Sequence, residues 1–413
     1  MFAPATGAVI AHVPLSSPTD VAAAVRAARP AFPAWSATPV KERVESFFRY
    51  RSLVKKNLDK LSALIVEVVA SIVPFNFPSM VPRWSTPTAI ALGNTMLLKP
   101  SEHVPLSALR IADLLTPARL PAGVCNVVHG ARETAQAICD HPYIAAVTFV
   151  GSTRIAQQMY RRAIGNLKRA LTLGGAKNHL TVLPDAGVEM TASNVAASMS
   201  GCSAQRCMAA SVMLAVGSSD AINNIVQGVV NQAKSLAIGR EIGPVVSAAA
   251  KTRLEAFISD AEAAGARVLV DGRNATVAGH AGGFYVGATV IDGVTSSMRI
   301  AHEEVFKPVL AIVRMNLLDE ALVVEHSSPY GNAASVFTEK GSSARYVAEH
   351  ATSGMIGVNV GVPVLREPFG FGGWGDSCYG TGEITGLGSI GIWTRLRKTT
   401  TKWNRDVGTH WMS

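Results

Sequence analysis

Cysteine is scarce in this chain and follows no pattern. The five present, Cys125, Cys139, Cys202, Cys207 and Cys378, form an odd, scattered set without a C-x-x-C pair. That excludes a disulfide framework and a zinc site and points to a reducing compartment. None of the ten histidines falls in a metal-ligand spacing such as H-E-x-x-H, so no metal is expected. No apolar run reaches the roughly 18 residues that span a bilayer, and the chain reads as soluble, without a membrane partner. Residues 1–7 lack a charged stretch followed by an apolar one, so no secretory signal is expected. The first arginine is Arg26, so no mitochondrial transit peptide is evident. A cytoplasmic location is expected, with the mitochondrial matrix left open for a eukaryotic source.

Negative charge is also in deficit. The formal net charge is +9, yet the basic residues are dispersed apart from Lys55-Lys56, Arg161-Arg162 and the tail at 395–402. Without an aromatic-interleaved basic stripe this reads as solvated surface, and no nucleic acid is expected as a partner. A small anionic cofactor would benefit modestly.

The 413 residues, 48% of them apolar, suffice for two or three domains with sizeable cores. Helical periodicity covers residues 20–32 and 41–64, with Thr19-Asp20 as the expected cap of the first. Strand-like and helical stretches then alternate. Strands are expected at 68–73, 95–99, 126–128 and 145–150, with helices at 106–115, 134–140 and 153–164. After Gly174-Gly175 the pattern restarts, with strands at 180–183, 212–216, 267–270, 309–313 and 335–338 and helices at 222–236 and 252–264. Such alternation implies parallel sheets with crossover helices.

Two short segments carry the chemistry. Gln205-Arg206-Cys207-Met208-Ala209 sets one thiol in a run of small residues, and Pro74-Phe75-Asn76-Phe77-Pro78 holds an amide between two rings and two prolines. A nucleophile and a rigidly held hydrogen-bond donor suit acyl chemistry at a carbonyl. Alone, Asn76 would equally serve a turn, and a lone cysteine is commonly a small buried hydrophobe, as fits Cys125, Cys139 and Cys202.

Together and in this order, the two segments resemble the aldehyde dehydrogenase superfamily over nearly the whole chain. The nearest likeness is to its CoA-acylating branch, which acts on methylmalonate semialdehyde. The resemblance implies an α/β aldehyde dehydrogenase fold. A Rossmann-like NAD-binding domain would occupy 1–173, an α/β catalytic domain 174–375, and a return segment with tail 376–413. It makes Cys207 the nucleophile and Asn76 the oxyanion donor, with NAD as cofactor and coenzyme A as co-substrate. NAD contacts are implied for Phe75, Lys99, Glu102, Ser152, Gly174 and Glu304, with His103 standing where relatives often carry a longer cation. The Lys99 and Glu102 pair would grip ribose hydroxyls; without the resemblance it would read as a surface pair. Gly151-Ser152 opens a helix whose N-terminus can meet a pyrophosphate, although that segment lacks G-x-G-x-x-G. Glu304 lies in Glu303-Glu304-Val305-Phe306-Lys307-Pro308, where Lys307 replaces the family's usual glycine.

Two features separate the branches. Thr172 stands where hydrolytic members carry the glutamate that activates water. Gly175-Ala176-Lys177-Asn178-His179 resembles the acylating branch, which also lacks that glutamate. The implied reaction takes methylmalonate or malonate semialdehyde to propionyl-CoA or acetyl-CoA with loss of CO₂. Arg206 would hold the substrate carboxylate in a bidentate fork, or else serve as a structural arginine. The alternatives are a catalytically impaired paralogue that binds nucleotide or a related subunit, and a hydrolytic aldehyde dehydrogenase.

One stretch reads as interrupted. Residues 61–73 are almost wholly apolar and contain no Gly, Pro, Asn or Asp, whereas a helix joined to a strand normally carries turn residues between them. One long buried helix is one reading. The resemblance favours the other, a missing block near 66–68 that in the family holds several helices and an oligomerisation hairpin. A homo-oligomer weakened by that loss is then expected.

Overall fold

The computed structural model describes residues 5–49 apart from 10, 13, 40 and 41, then 72–366 and 369–394. The interrupted stretch near 66–68, the helix expected beyond residue 49, most of the strand expected at 68–73 and the tail after 394 lie outside the described residues.

The first helix, α1, spans Pro18–Ala37. Its cap is Ser17, which corrects the expected Thr19-Asp20. The Asp20 amide donates to Ser17 Oγ at 3.3 Å while the Ser17 amide donates to Asp20 Oδ2 at 2.7 Å. This capping box uses Asp20 as its third helical residue, and Pro18 takes the first turn, where no amide is needed.

Two small sheets follow. β1 (Met96–Leu98) pairs in parallel with β2 (Cys125–Val127). β3 (Ala146–Val150) pairs in parallel with β4 (Arg169–Leu173), and β4 also pairs antiparallel with β14 (Cys378–Tyr379), which returns from the C-terminal part. Helices α2 (Met80–Ala91), α3 (Leu106–Asp113), α4 (Arg132–Asp140) and α5 (Thr153–Gly165) accompany these strands. Val147 and Phe149 pack with Ile138, Ala156 and Met159, whereas Val150, Leu171 and Leu173 pack with Val81, Ile392 and Trp393. The Val150 amide donates to the Ile72 carbonyl at 3.0 Å, which ties the start of the Pro74–Pro78 segment to β3.

The second unit is a seven-stranded sheet in the order β12-β11-β5-β6-β9-β8-β7. Its members are β5 (Asn178–Val182), β6 (Ala210–Val216), β7 (Arg267–Val270), β8 (Thr289–Asp292), β9 (Val309–Met315), β11 (Ala333–Phe337) and β12 (Met355–Val358). All pairings are parallel except β7 with β8, and β10 (Tyr330–Gly331) forms a separate antiparallel pair with β13 (Trp374–Gly375). Helices α6 (Val188–Ser200) and α7 (Asp220–Ser235) cover one face and α8 (Ala248–Ala263) the other. The pleat of β6 divides its side chains between the faces: Val212, Leu214 and Val216 meet Leu254, Phe257 and Ile258, whereas Met213 and Ala215 meet Met199, Ile222 and Ile225. Burial on both faces explains why β6 reads as a continuous apolar run.

Chain order carries function here. β4 ends at Leu173 in one sheet and β5 begins at Asn178 in the other, so Gly174-Gly175 crosses between them. The stretch between α6 and β6 carries Cys207, and its two ends are clasped by Ser198. That fully buried hydroxyl donates to the Gly361 carbonyl at 2.7 Å and accepts from the Ala210 amide at 3.1 Å. Ser198→Ala leaves both backbone groups unpaired. A denaturant titration should show a loss of about 1–3 kcal/mol; an unchanged midpoint would mean that the clasp contributes nothing.

Candidate functional site

A cavity of about 590 Å³ opens where the two units meet, and most of the residues singled out in the sequence line it. Phe75, Asn76, Lys99, Glu102, Ser152, Gly174, Cys207 and Glu304 all do so. His103 and Arg206 are not among its lining residues. His103 is exposed, with its amide donating to Ser101 Oγ.

Cys207 sits on a strained loop. Cys202, Ser203 and Ala204 hold φ of 55°, 54° and 49°, a left-handed run in residues that carry Cβ atoms. Each such residue costs of the order of 1–3 kcal/mol, so the surroundings must impose the shape. They do so through side chains. Ser203 Oγ donates to the Gly243 carbonyl at 2.8 Å, and Gln205 Oε1 accepts the Val246 amide at 3.0 Å. Asn178, at the start of β5, donates through Nδ2 to the carbonyls of Cys207 at 2.7 Å and Ala209 at 3.1 Å, and its Oδ1 accepts the Ala333 amide. Sequence reasoning assigned Asn178 no role. Its partners are non-local backbone groups, which no motif displays.

Arg206 turns away from the cavity. Its Nη2 donates to the carbonyls of Ala197 at 2.6 Å and Ser198 at 3.1 Å, so the guanidinium caps the C-terminal turn of α6. Cations suit that end of a helix.

The thiol rests in its neutral form. Burial pushes Cys207 up to about 12 and the Glu304 charge adds to this, against the backbone amides of Cys207 and Met208 and the Arg206 charge. Those amides therefore face the sulfur.

Asn76 lies in a turn ahead of α2, and its Oδ1 is buried without a partner among the described residues. The carboxamide is thus not committed to internal bonding through that atom. Phe75 meets Phe306 edge to face, with ring centroids 5.9 Å apart at 82°. Lys99 is 5% exposed, with Nζ 3.4 Å from Glu102 Oε2 and 3.0 Å from the Pro100 carbonyl. Burial pulls its pKa down and Glu102 pulls it back up. Ser152 precedes the 13-residue α5, lines the cavity and makes no capping bond through its side chain.

Glu304 occupies the space beside the glycine turn. Its Oε1 accepts the Ala176 amide at 2.9 Å, and a Cβ on Gly175 would lie 2.6 Å from its Oε2. Burial raises the Glu304 pKa, opposed by that amide and by Lys177, Lys307 and Arg253. Lys177 is itself buried and pushed down to about 7, with Nζ donating to the Ile300 carbonyl at 2.7 Å. Arg253, another residue the sequence did not flag, lines the cavity and donates to the Glu304 carbonyl at 2.8 Å. Lys99, Arg132, Arg253 and Lys307 face only two carboxylates, Glu102 and Glu304, along the lining. That excess favours an anionic guest.

Thr172 is fully buried and donates to the Ala156 carbonyl at 3.0 Å, under α5. No group of acidic, histidine and cysteine side chains among the described residues could hold a metal, and no described helix is long and apolar enough to cross a membrane.

Comparison with known proteins shows the family of the chain. The sequence profile of the aldehyde dehydrogenase family matches residues 1–68 and 66–397. The two matches meet at the point where the interrupted stretch implied a missing block. A malonate-semialdehyde dehydrogenase of Pseudomonas aeruginosa is 38% identical, covering 98% of this chain and 93% of the relative. That alignment runs to 461 positions, longer than the whole 413-residue chain, so the relative carries residues that this chain lacks. A Sinorhizobium meliloti protein solved in complex with NAD superposes with a TM-score of 0.95 at 35% identity, covering 98% of this chain and 94% of that one. The methylmalonate-semialdehyde dehydrogenase of Oceanimonas doudoroffii gives 0.94 at 35% identity, covering 98% and 95%.

The electrostatics give one direct test. Glu304→Gln removes a charge that raises the Cys207 pKa, so iodoacetamide should label Cys207 several-fold faster at pH 8, read by peptide mass. Exposed Cys202 serves as the internal standard. An unchanged ratio would contradict the coupling.

Proposed function

The chain belongs to the aldehyde dehydrogenase family, and on that premise we propose that it oxidises malonate or methylmalonate semialdehyde with NAD and passes the acyl group to coenzyme A. The observation that carries the reading is the convergence of Cys207, Asn76 and Glu304 on one cavity with the Lys99–Glu102 pair and the start of α5.

The residues fit a dinucleotide. Lys99 and Glu102 can share a pair of ribose hydroxyls, and Glu102 would repel a 2′-phosphate, which selects NAD. The start of α5 suits the pyrophosphate, and Glu304 suits the second ribose. Bound NAD supplies the hydride acceptor and a positive charge that favours the Cys207 thiolate.

Cys207 then adds to the aldehyde carbon, and the former carbonyl oxygen becomes an alkoxide. In this reading the Cys207 amide and the Asn76 carboxamide Nδ2 donate to it. Collapse of the alkoxide with loss of hydride leaves a thioester on Cys207. Thr172 offers no carboxylate to activate water, and its hydroxyl is already spent on Ala156. A thiol needs less help from a base than water does, so CoA displaces Cys207 and carries away the acyl group. Loss of the substrate carboxylate as CO₂ leaves its electron pair on the α-carbon, which takes a proton from water, so the product is acetyl-CoA or propionyl-CoA.

With Arg206 engaged on α6, its role toward the substrate carboxylate requires release from those carbonyls. A cytoplasmic site, where the thiol stays reduced, and a homo-oligomer weakened by the missing block belong to the same reading.

Purified protein given malonate semialdehyde, NAD and CoA should form NADH, depend on CoA for turnover, and lose activity in Cys207→Ala. Asn76→Ala should lower kcat by roughly 100- to 1000-fold. A folded, NAD-binding protein without turnover would leave the impaired paralogue as the answer. Turnover indifferent to CoA would make the enzyme hydrolytic.

A further inference from the structure

Lys307 is a charged residue in an unusual position. It is 5% exposed, lines the cavity beside Phe306 and Glu304, and stands where the family pattern has glycine. Among the described residues its Nζ makes one hydrogen bond, a long one of 3.3 Å to the Val305 carbonyl. An ammonium carries three donors. The neighbouring cations are better occupied: Lys177 has the Ile300 carbonyl at 2.7 Å, and Arg253 has the Glu304 carbonyl at 2.8 Å and lies over the Phe257 ring at 5.2 Å.

Removing an ammonium from water is costly unless an opposite charge or good hydrogen bonds replace the lost hydration. Among the described residues Glu304 is the carboxylate whose charge acts on Lys307, and no ion pair within 4.0 Å joins the two. Burial and the Arg253 charge push the amine down to about 8, with Glu304 pulling the other way. The group is therefore buried beside a cavity with its donors largely unspent. Phe306, held at φ +60° and set edge-on against Phe75, fixes the backbone immediately before it.

We propose that Lys307 is a cofactor-binding residue that this chain adds to the family's set, giving its ammonium to the pyrophosphate of the bound dinucleotide. The inference rests on the NAD-binding reading above. Of the parts of NAD, only the pyrophosphate carries the negative charge that a buried ammonium requires. A neutral amine would also donate, but without the charge-assisted strength that discriminates this contact. The second role open to a cation here, a countercharge that merely holds Glu304, makes a different prediction for ligands that lack the nicotinamide ribose.

Calorimetric titration of NADH, ADP and adenosine into the full chain separates the two. ADP keeps the pyrophosphate and lacks the second ribose; adenosine lacks both. Lys307→Met should weaken NADH and ADP about tenfold or more and leave adenosine unchanged. Lys307→Arg should restore most of the loss, and it keeps the test open if the methionine variant fails to fold. Equal ADP affinity in wild type and Lys307→Met would overturn the proposal, and weakening confined to NADH would assign Lys307 to Glu304 instead. If wild type binds neither NADH nor ADP, the nucleotide-binding reading fails with it. If it binds both and the variants do not differ, only the inference about Lys307 fails.

Discussion

Everything at this site depends on a close approach at Gly174-Gly175, where two sheets and the C-terminal segment share a volume too small for a side chain. The Gly174 amide donates to the Ser377 carbonyl at 2.9 Å, and a Cβ on Gly174 would stand 2.3 Å from the Asp376 carbonyl oxygen. The Gly175 amide donates to Thr153 Oγ1 at 2.8 Å, and the Gly175 carbonyl accepts from Ser377 Oγ at 2.7 Å. Glu304 comes within 2.6 Å of the place a Gly175 Cβ would take. One turn thus registers β4 against β5, brings β14 back onto β4 and presents Glu304 and the start of α5 to the same cavity. Glycine is needed here because of close packing; neither residue has a positive φ.

Around that turn, charge is distributed in anticipation of a guest. The nucleophile is held neutral by burial and by Glu304, two buried lysines have their pKa values pulled down to about 7 and about 8, and the lining carries more cations than carboxylates. An anion with a positive end near the thiol would relieve these costs together, by neutralising the excess and stabilising the thiolate. The arrangement is that of a site whose reactivity is low until its ligand arrives. The strained run at 202–204 has the same character: backbone shape at the nucleophile is imposed from outside by Ser203, Gln205 and Asn178.

Much of this was legible in the sequence. The apolar runs of β5, β6, β9 and β11 and the amphipathic helices between them are local properties, and local properties survive in a string. Cys207, Asn76, Lys99, Glu102 and Glu304 could be singled out because their short segments resemble those of a known family; by composition alone Asn76 is a turn residue and Lys99 with Glu102 a surface pair. What escaped reading depends on distant partners. Arg206 adjoins the nucleophile in sequence, yet its donors are claimed by the end of α6. Asn178 braces the nucleophile loop from a different strand, and Arg253 reaches the cavity from α8. The cap of α1 was misplaced by two residues because Ser17, Thr19 and Asp20 are all competent caps, and only the reciprocal bonds of Ser17 and Asp20 decide between them.

The central claim is that Cys207 carries an acyl group that a thiol, and not water, removes. Peptide mass analysis tests it after incubation of the protein with malonate semialdehyde and NAD, first without CoA and then with CoA added. A persistent acyl adduct is expected on the peptide containing Cys207, discharged on addition of CoA with formation of the acyl-CoA. An adduct confined to Cys202, or NADH formed over many turnovers without CoA, would contradict it.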